Sequence, residues 1–342
     1  MRPVTLHDLA RRCDCSIATV SAVVNGADWV STPTRTRIQD AIKEMGYHPN
    51  RLARGLQRRE GHSVGVIVSD LTNPFFTQIV RSLSHSLLAA GRALSLCDSD
   101  HRHDLGEKNL RMLLEGQIAG LVLIGDSVPE RTLRMFVHHR ALLPVIAIER
   151  EYNMPQVSCL LVDSEQGAFT ATRHLIDQGR TRIAMIAGPA SGASSATYGR
   201  VQRYDGYCRA LAESGREMDS RLVVEGTWRF PSGQHAMRQL LALDPPPDAV
   251  FAANDMMAFG AMSVARDAGV HVPDDIALIG FDDVPMAALT SPSLTTMAMP
   301  MTELGVEAAR LLEVQLRLAP YHTPVREVLA TRLVVRESSL SS

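Results

Sequence analysis

Charged, amide and aromatic side chains follow several apolar segments of the chain, at the positions where those segments end. Apolar segments of strand length alternate with amphipathic stretches, a pattern typical of parallel sheets covered by helices. In such sheets ligands bind beyond the carboxyl ends of the strands, so these side chains are candidates for a ligand site. The candidates are Asp70, Asn73, Phe75, Phe76, Glu149, Trp228, Asn254, Asp255 and Asp282.

The candidate side chains share a chemistry that suits a small polar molecule such as a sugar. Carboxylates accept hydrogen bonds from hydroxyl groups, and the rings of Phe76 and Trp228 offer cover for apolar faces of a ligand. Plainer interpretations stay open for three positions. Phe75 is equally well explained as a core residue, and Asp282 and its neighbour Asp283 as helix caps.

Nine apolar segments supply the predicted strands of this region, and amphipathic stretches between most of them supply the helices. A set of about ten parallel strands is too large for one lobe and predicts two sheets, hence two lobes. The predicted strands are 64–69, 93–97, 120–124, 145–148, 159–162, 182–187, 222–224, 249–252 and 276–281.

Residues 1–46 have a different pattern, typical of three short helices. Thr5 is placed to cap the first helix, a tight turn follows at 14–16, and the second helix runs from Ile17 to a stop at 25–26. Pro33 lies in the first turn of the third helix. Two short helices joined by a three-residue turn are typical of a helix-turn-helix, which places its second helix in the major groove of DNA.

The second helix of this unit carries two kinds of candidate DNA contact. Small polar side chains are suited to phosphate oxygens, and exposed apolar side chains face the base edges. The phosphate candidates are Ser16, Thr19, Ser21 and Asn25, and the base-facing candidates are Ile17, Ala18 and Ala22.

Charge supports a DNA-binding N-terminus, and composition excludes several other classes. The chain has a net charge of −2, yet residues 1–62 carry ten Lys and Arg against six Asp and Glu.

The five cysteines are scattered, which favours reduced thiols in the cytoplasm. We expect no signal peptide, no membrane span, no metal and no cofactor. Phosphate-binding and nucleophile-elbow motifs are absent, so the sequence predicts no enzyme.

The segment 4–25 (VTLHDLARRCDCSIATVSAVVN) resembles the headpiece of the LacI/GalR repressor family. Further matches follow in order along almost the whole chain. They are 30–31 (VS), 46–50 (GYHPN), 52–56 (LARGL), 71–76 (LTNPFF), 253–255 (AND), 280–283 (GFDD), 291–296 (SPSLTT) and 333–338 (LVVRES).

The resemblance implies a fold and a domain plan. An all-α helix-turn-helix headpiece (1–49) and a hinge helix with its linker (50–61) would precede a two-lobed α/β core (62–342). That core would be periplasmic-binding-protein-like, with doubly wound parallel sheets. Its lobes are expected at about 62–163 plus 294–322 and at 164–293 plus 323–340.

The resemblance also implies roles for single residues. Arg203 matches an effector-contacting arginine, although an interlobe ion pair is an alternative interpretation. Leu56 matches a hinge leucine that wedges into the minor groove and bends DNA; a core leucine is the alternative. The resemblance completes the predicted DNA-binding set with Thr5, Ser31, Tyr47, Asn50, Arg51, Ala53 and Arg54.

Three departures from the family pattern affect DNA recognition and the turn. Ala22 replaces the usual arginine of the recognition helix, so base readout is expected to use methyl contacts and DNA shape. Asp14 replaces the turn glycine. Cys13 and Cys15 replace apolar residues, and their spacing alone is weak support for a metal site.

The sequence therefore predicts a cytoplasmic repressor that is not an enzyme. A homodimer would bind a palindromic operator in double-stranded DNA, with a small polar effector controlling its affinity. Dimerisation is expected near residues 75–90. The alternative interpretation is a cytosolic α/β enzyme or solute-binding protein that acts on a small polar metabolite.

Overall fold

The computed structural model describes residues 4–24, 27–47, 63–137, 143–189, 198–318 and 323–340. The chain divides into two compact units, Met1–Glu60 and Gly61–Ser342. The whole of the predicted hinge, 50–61, lies outside the described residues. The same holds for six predicted DNA contacts, Asn25, Asn50, Arg51, Ala53, Arg54 and Leu56, which stay predictions.

The N-terminal unit contains the three predicted helices: α1 (Leu6–Arg12), α2 (Ile17–Val24) and α3 (Thr32–Glu44). They enclose a small core that includes Leu9, Val20 and Ile38, all fully buried. The helices stay together because each contributes one apolar face to this core.

The larger unit alternates strands and helices. The strands are β1 (Ser63–Val68), β2 (Ala93–Asp98), β3 (Gly120–Ile124), β4 (Val145–Ile148), β5 (Val157–Val162), β6 (Ile183–Ala187), β7 (Val223–Glu225), β8 (Ala249–Ala252), β9 (Ala277–Asp282), β10 (Thr295–Ala298), β11 (Arg326–Leu329) and β12 (Arg332–Val334). The helices are α4 (Pro74–Ala89), α5 (His103–Glu115), α6 (Glu130–Val137), α7 (Ser164–Asp177), α8 (Tyr198–Glu213), α9 (Phe230–Leu241), α10 (Asp255–Asp267) and α11 (Met301–Leu318).

These strands form two six-stranded sheets, one in each lobe. The first sheet has the order β11-β5-β4-β3-β1-β2 and is parallel throughout. The second has the order β12-β10-β9-β8-β6-β7, in which only the β10–β12 pair is antiparallel. Strands such as β3 and β6 are buried along their whole length, which explains their continuous apolar sequences.

The nine predicted strands are all present, within two residues at each end.

The predicted division between the lobes differs from the structure in two places. Thr295–Ala298 pairs with β9 in the second sheet, and Arg326–Leu329 pairs with β5 in the first. The chain therefore crosses between the lobes after β5, between β10 and α11, and between β11 and β12. Short strands at these crossings join a sheet through partners distant in sequence, and their own sequence does not specify which sheet.

Candidate functional site

The α1–α2 turn of the headpiece is held by hydrogen bonds within the chain. Thr5 caps α1, and its Oγ1 accepts from the Asp8 backbone N–H at 3.3 Å, while the Asp8 carboxylate accepts from the Thr5 N–H at 3.0 Å. Asp14 has a φ of +44°, the left-handed conformation that glycine usually supplies at this turn. Ser16 Oγ accepts from the Thr19 N–H at 3.0 Å and so caps α2.

The face of α2 that was predicted to meet base edges is only partly exposed. Ile17 is 39% exposed and Ala18 is also exposed, whereas Ala22 is half-buried against the headpiece core. Tyr47 packs against the same core. Ser31 is exposed, and its hydroxyl donates to Thr34 Oγ1 at 3.0 Å.

The two headpiece cysteines are packing residues. Cys13 is buried, with its Sγ 3.8 Å from the Arg37 carbonyl oxygen, and Cys15 is half-buried against the same core. Burial raises the pKa of the Cys15 thiol, so the protonated form is favoured.

A cavity lies where the two lobes of the larger unit face each other. It is partly open to solvent, and about 70 Å³ of it has room for the centres of water molecules. It is built at the carboxyl ends of the strands, as the strand-end rule predicts. Eight of the ten predicted effector residues line it: Asn73, Phe75, Phe76, Glu149, Arg203, Trp228, Asn254 and Asp282.

Arg203 lies between carboxylates from both lobes and is 5% exposed. Its Nη2 is 3.8 Å from Glu149 Oε2 and 3.9 Å from Asp282 Oδ1. These distances exceed a hydrogen bond, so the guanidinium offsets the two charges without occupying the carboxylate lone pairs that face it. Its Nη1 donates to the Ala253 carbonyl at 2.6 Å, and this hydrogen bond fixes the orientation of the guanidinium group. Arg203 thus both bridges the lobes and faces the cavity.

Glu149, directly after β4, is the first-lobe carboxylate of this group. Its backbone has a φ of +56°, and its Oε1 accepts from the Val162 N–H at 2.9 Å. Burial raises the pKa of Glu149 to about 7, although Arg203 and the Val162 N–H oppose the shift. A residue held in a strained backbone conformation and titrating near neutrality is typical of a functional position.

Asp282 ends β9 in the second lobe, with a φ of +125°. Burial raises its pKa well above the ordinary value, Arg203 lowers it, and the neighbouring carboxylates Asp255 and Glu149 raise it further. The helix-cap interpretation does not describe these residues, because Asp282 lines the cavity and Asp283 pairs with Arg336 at 2.7 Å.

Aromatic rings line the cavity on both lobes. In the first lobe Phe75 and Phe76 form an edge-to-face pair with centroids 5.1 Å apart. Phe75 also belongs to the main hydrophobic core, so the core and ligand interpretations both apply to it. In the second lobe Trp228 has a φ of +66°, and its carbonyl accepts from Asn254 Nδ2 at 2.9 Å.

Two predicted effector residues, Asp70 and Asp255, do not line the cavity. Asp70 accepts from the Thr72 N–H at 2.8 Å and pairs with Arg229 Nε at 3.1 Å, an ion pair between the lobes. Asp255 is fully buried and accepts from Thr296 Oγ1 at 2.6 Å and from the Val284 N–H at 2.9 Å. Both follow the strand-end pattern, but their lone pairs are taken up within the chain.

Six residues line the cavity without having been predicted: Ser69, His101, Gly125, Asp126, Gly199 and Arg200. Asp126 is the most notable, being buried and paired with Arg150 Nη1 at 2.7 Å. The strand-end rule, applied to every strand, would have found Ser69 after β1, His101 after β2, and Gly125 and Asp126 after β3.

Comparisons with known proteins identify relatives of both units. The family described as bacterial regulatory proteins, lacI family, matches residues 5–50, and the periplasmic binding protein-like domain matches residues 172–339. Catabolite control protein A of Priestia megaterium is 34% identical over 90% of this chain and 91% of its own. A transcriptional regulator CelR–cellobiose complex is 35% identical, with a TM-score of 0.72 over 98% of this chain and 100% of the other. The lac repressor dimer bound to operator and the anti-inducer ONPF is 27% identical, with a TM-score of 0.85 over 99% and 100%.

The predicted fold class is confirmed: an N-terminal helix-turn-helix unit and a core of two mainly parallel α/β sheets that resembles periplasmic binding proteins. Across the described parts of the chain, every helix is too short or too polar to span a bilayer.

Proposed function

Because the chain belongs to the lacI family of bacterial regulatory proteins, which are DNA-binding transcriptional regulators and not enzymes, we propose an effector-controlled repressor. A homodimer binds a near-palindromic operator in cytoplasmic DNA. A neutral sugar or sugar derivative in the interlobe cavity alters its affinity for that operator.

The observation that carries this proposal is the group formed by Arg203, Glu149 and Asp282 inside the cavity. A guanidinium and two carboxylates, buried at distances beyond hydrogen bonding, have donors and acceptors left for a ligand. A sugar hydroxyl can both donate and accept a hydrogen bond. One sugar ring can therefore donate to the carboxylates and accept from the guanidinium. The aromatic rings of Phe76 and Trp228 supply the apolar contacts that a sugar ring also requires.

The relatives favour the same effector class. The regulator CelR was solved with cellobiose, and the lac repressor was solved with operator DNA and a small-molecule anti-inducer. Met299 is buried beside Arg203, with its Sδ 3.4 Å from Nη2. The resemblance to the family implies that some members carry a ligand-facing glutamine at this position. The identity of the sugar is therefore expected to differ from that of those members.

The cavity has contributions from both lobes, which supplies a means of control. Glu149 belongs to the first lobe, and Arg203 and Asp282 belong to the second. A ligand that bonds all three favours one degree of lobe closure over another, and only such differential binding shifts a conformational equilibrium. The change reaches DNA through the hinge, where Leu56 is proposed to wedge into the minor groove.

The proposed DNA contacts combine apolar and polar groups. Ile17 and Ala18 are exposed on α2 and suited to thymine methyl groups. Sequence choice then depends also on DNA shape, since Ala22 cannot donate to guanine as an arginine would.

The proposed dimer interface lies on the first lobe, near α4. Leu88 at the end of α4 is 71% exposed, and Leu96 on the edge strand β2 is 39% exposed. Large exposed apolar side chains beside an unpaired sheet edge are typical of a surface that another chain covers.

A thermal-shift screen of neutral sugars, sugar acids and nucleobases tests the effector class. A specific neutral sugar raises the melting temperature of the wild-type chain by mass action, and Arg203→Ala abolishes that rise. If no compound of these classes shifts the melting temperature, the polar-effector proposal is wrong.

A further inference from the structure

The indole ring of Trp228 lies directly against Gly188, which follows β6. A Cβ atom placed on Gly188 would lie 2.1 Å from Cζ2 and 2.4 Å from Cη2 of the indole. Carbon atoms that are not bonded to each other do not approach so closely. The outer edge of the Trp228 ring therefore fills the space that a side chain at residue 188 would need.

The backbone that carries Trp228 is anchored in its position. Asn254 Nδ2 donates to the Trp228 carbonyl at 2.9 Å, while Asn254 Oδ1 caps α10 by accepting from the Met257 N–H at 2.9 Å. Just before the tryptophan, the Gly226 N–H donates to the Ala187 carbonyl at 2.8 Å. Since the backbone is tied to β6 and to α10, a clash at Gly188 is relieved mainly by movement of the ring.

The ring has open space on its cavity side. Trp228 lines the cavity, and the Arg203 guanidinium carbon lies 5.7 Å from the indole centroid. A side chain at residue 188 would thus displace the indole towards the position of a ligand and towards Arg203.

We propose that Gly188 is a positioning residue for effector recognition. Its missing side chain sets the depth at which the Trp228 ring projects into the cavity, and so the thickness of ligand that fits beside Arg203. The proposal rests on the proposed function of this cavity as an effector site.

The first lobe has a comparable arrangement at the corresponding end of its own sheet. Gly125, directly after β3, lies under Phe76, and a Cβ there would be 3.0 Å from Phe76 Cε1 and 2.6 Å from Ser69 Oγ. Each aromatic wall of the cavity is therefore seated on a glycine that follows a strand. Gly188 is the better position to test, because Gly125 also has a φ of +68° that disfavours any side chain.

Fluorescence of the full-length chain tests the positioning of the ring without any ligand. The chain has two tryptophans, so Trp29→Phe in the exposed headpiece loop leaves Trp228 as the sole tryptophan, which is excited selectively over tyrosine. In this background Gly188→Ala is expected to shift the emission maximum and change the acrylamide quenching constant. Gly199→Ala is the matched control, since its Cβ would meet nothing closer than 3.4 Å in the same cavity. Identical emission and quenching for Gly188→Ala and the parent would overturn the proposal.

A double-mutant cycle separates this contact from general damage to folding. Gly188→Ala is expected to lower the melting temperature by about 5 °C when Trp228 is present. Combined with Trp228→Leu, which lacks the ring atoms that Gly188 contacts, the same substitution is expected to cost less than half as much. Equal losses in both backgrounds would contradict the proposal.

These two measurements need no effector. A failed sugar screen with a positive fluorescence and melting result would refute the effector class alone. Unchanged fluorescence with a successful screen would refute the role of Gly188 alone.

Discussion

The headpiece surface and the interlobe cavity use their polar side chains in opposite ways. In the headpiece, Thr5 and Ser16 direct their oxygens to the ends of α1 and α2, while Ile17 is left exposed. In the cavity, Arg203 and Asp282 are buried with charge facing charge at 3.9 Å, too far for a hydrogen bond.

This contrast is the basis on which we propose two modes of recognition in one chain. A surface whose polar groups are already bonded recognises its partner by shape, apolar contact and backbone charge. A buried site whose charged groups lack some hydrogen bonds recognises its partner by the positions of the partner's donors and acceptors. Burying such groups without hydrogen bonds costs free energy, and a ligand that supplies those bonds offsets the cost. We expect changes in the cavity to have larger effects on stability than changes on the headpiece surface.

The largest effect is expected for Arg203→Ala. Removing the guanidinium leaves Glu149 and Asp282 buried without a counter-charge, which costs about 3 kcal/mol of unfolding free energy. The loss is greater at pH 8 than at pH 6, because burial raises the pKa of Glu149 to about 7 and its carboxyl group can protonate at the lower pH. Denaturant unfolding measures it, with the exposed Arg266→Ala as a control that changes stability by less than about 0.5 kcal/mol. Equal losses for both variants would show that the cavity charges are not coupled.

The second-largest expected effect is a dependence of folding stability on pH, which arises from two buried carboxyl groups. Burial raises the pKa of Glu149 and of Asp255 to about 7, above their values in the unfolded chain. The folded state therefore binds more protons between about pH 4 and 7, and stability is lost as pH rises through 7. The slope is at most about 1.4 kcal/mol per pH unit for each group.

Asp255→Asn is expected to remove one group from this slope. Denaturant unfolding between pH 5 and 8 measures the change, and Asp267→Asn, at an exposed position, is expected to leave the slope unaltered. If Asp255→Asn kept the wild-type slope of unfolding free energy against pH, the pH dependence would arise from groups other than Asp255.

A smaller effect is expected at the recognition helix. Ile17→Ala removes exposed apolar surface that is proposed to face the groove, and it is expected to weaken operator binding about fivefold. Gel-shift titration on a selected operator measures the change. Gln39→Ala, exposed on α3, is the control, and equal affinities for the two variants would argue against methyl readout by Ile17.

The smallest effect is expected at the α1 cap. Thr5→Ala removes the oxygen that accepts from the Asp8 N–H and costs about 1 kcal/mol of local stability, whereas Thr5→Ser keeps it. Hydrogen exchange of α1 amides in the full-length chain measures this difference. Equal exchange in both variants would show that the cap does not stabilise α1.

The sequence predicted those features that depend on local pattern. Strands such as β3 and β6 were predictable because their apolar runs are continuous. The strand ends led to seven of the cavity residues, and the family resemblance led to an eighth, Arg203. The left-handed conformation of Asp14 agrees with its position in place of the turn glycine.

Features that depend on distant partners were not predictable in this way. Asp70 resembles a ligand residue until its partner Arg229, 159 positions away, is known. The strands β10 and β11 are short, and only pairing with β9 and β5 assigns them to their sheets.

Operator affinity with and without sugar is the most direct test of the central claim. The full-length chain would be used to select its site from random DNA, and binding would be titrated in the presence of the sugar that raises its melting temperature. We predict a near-palindromic site and a change in affinity of about 5- to 150-fold, which Arg203→Ala abolishes. A sugar that stabilises the protein yet leaves operator affinity unchanged would contradict the account.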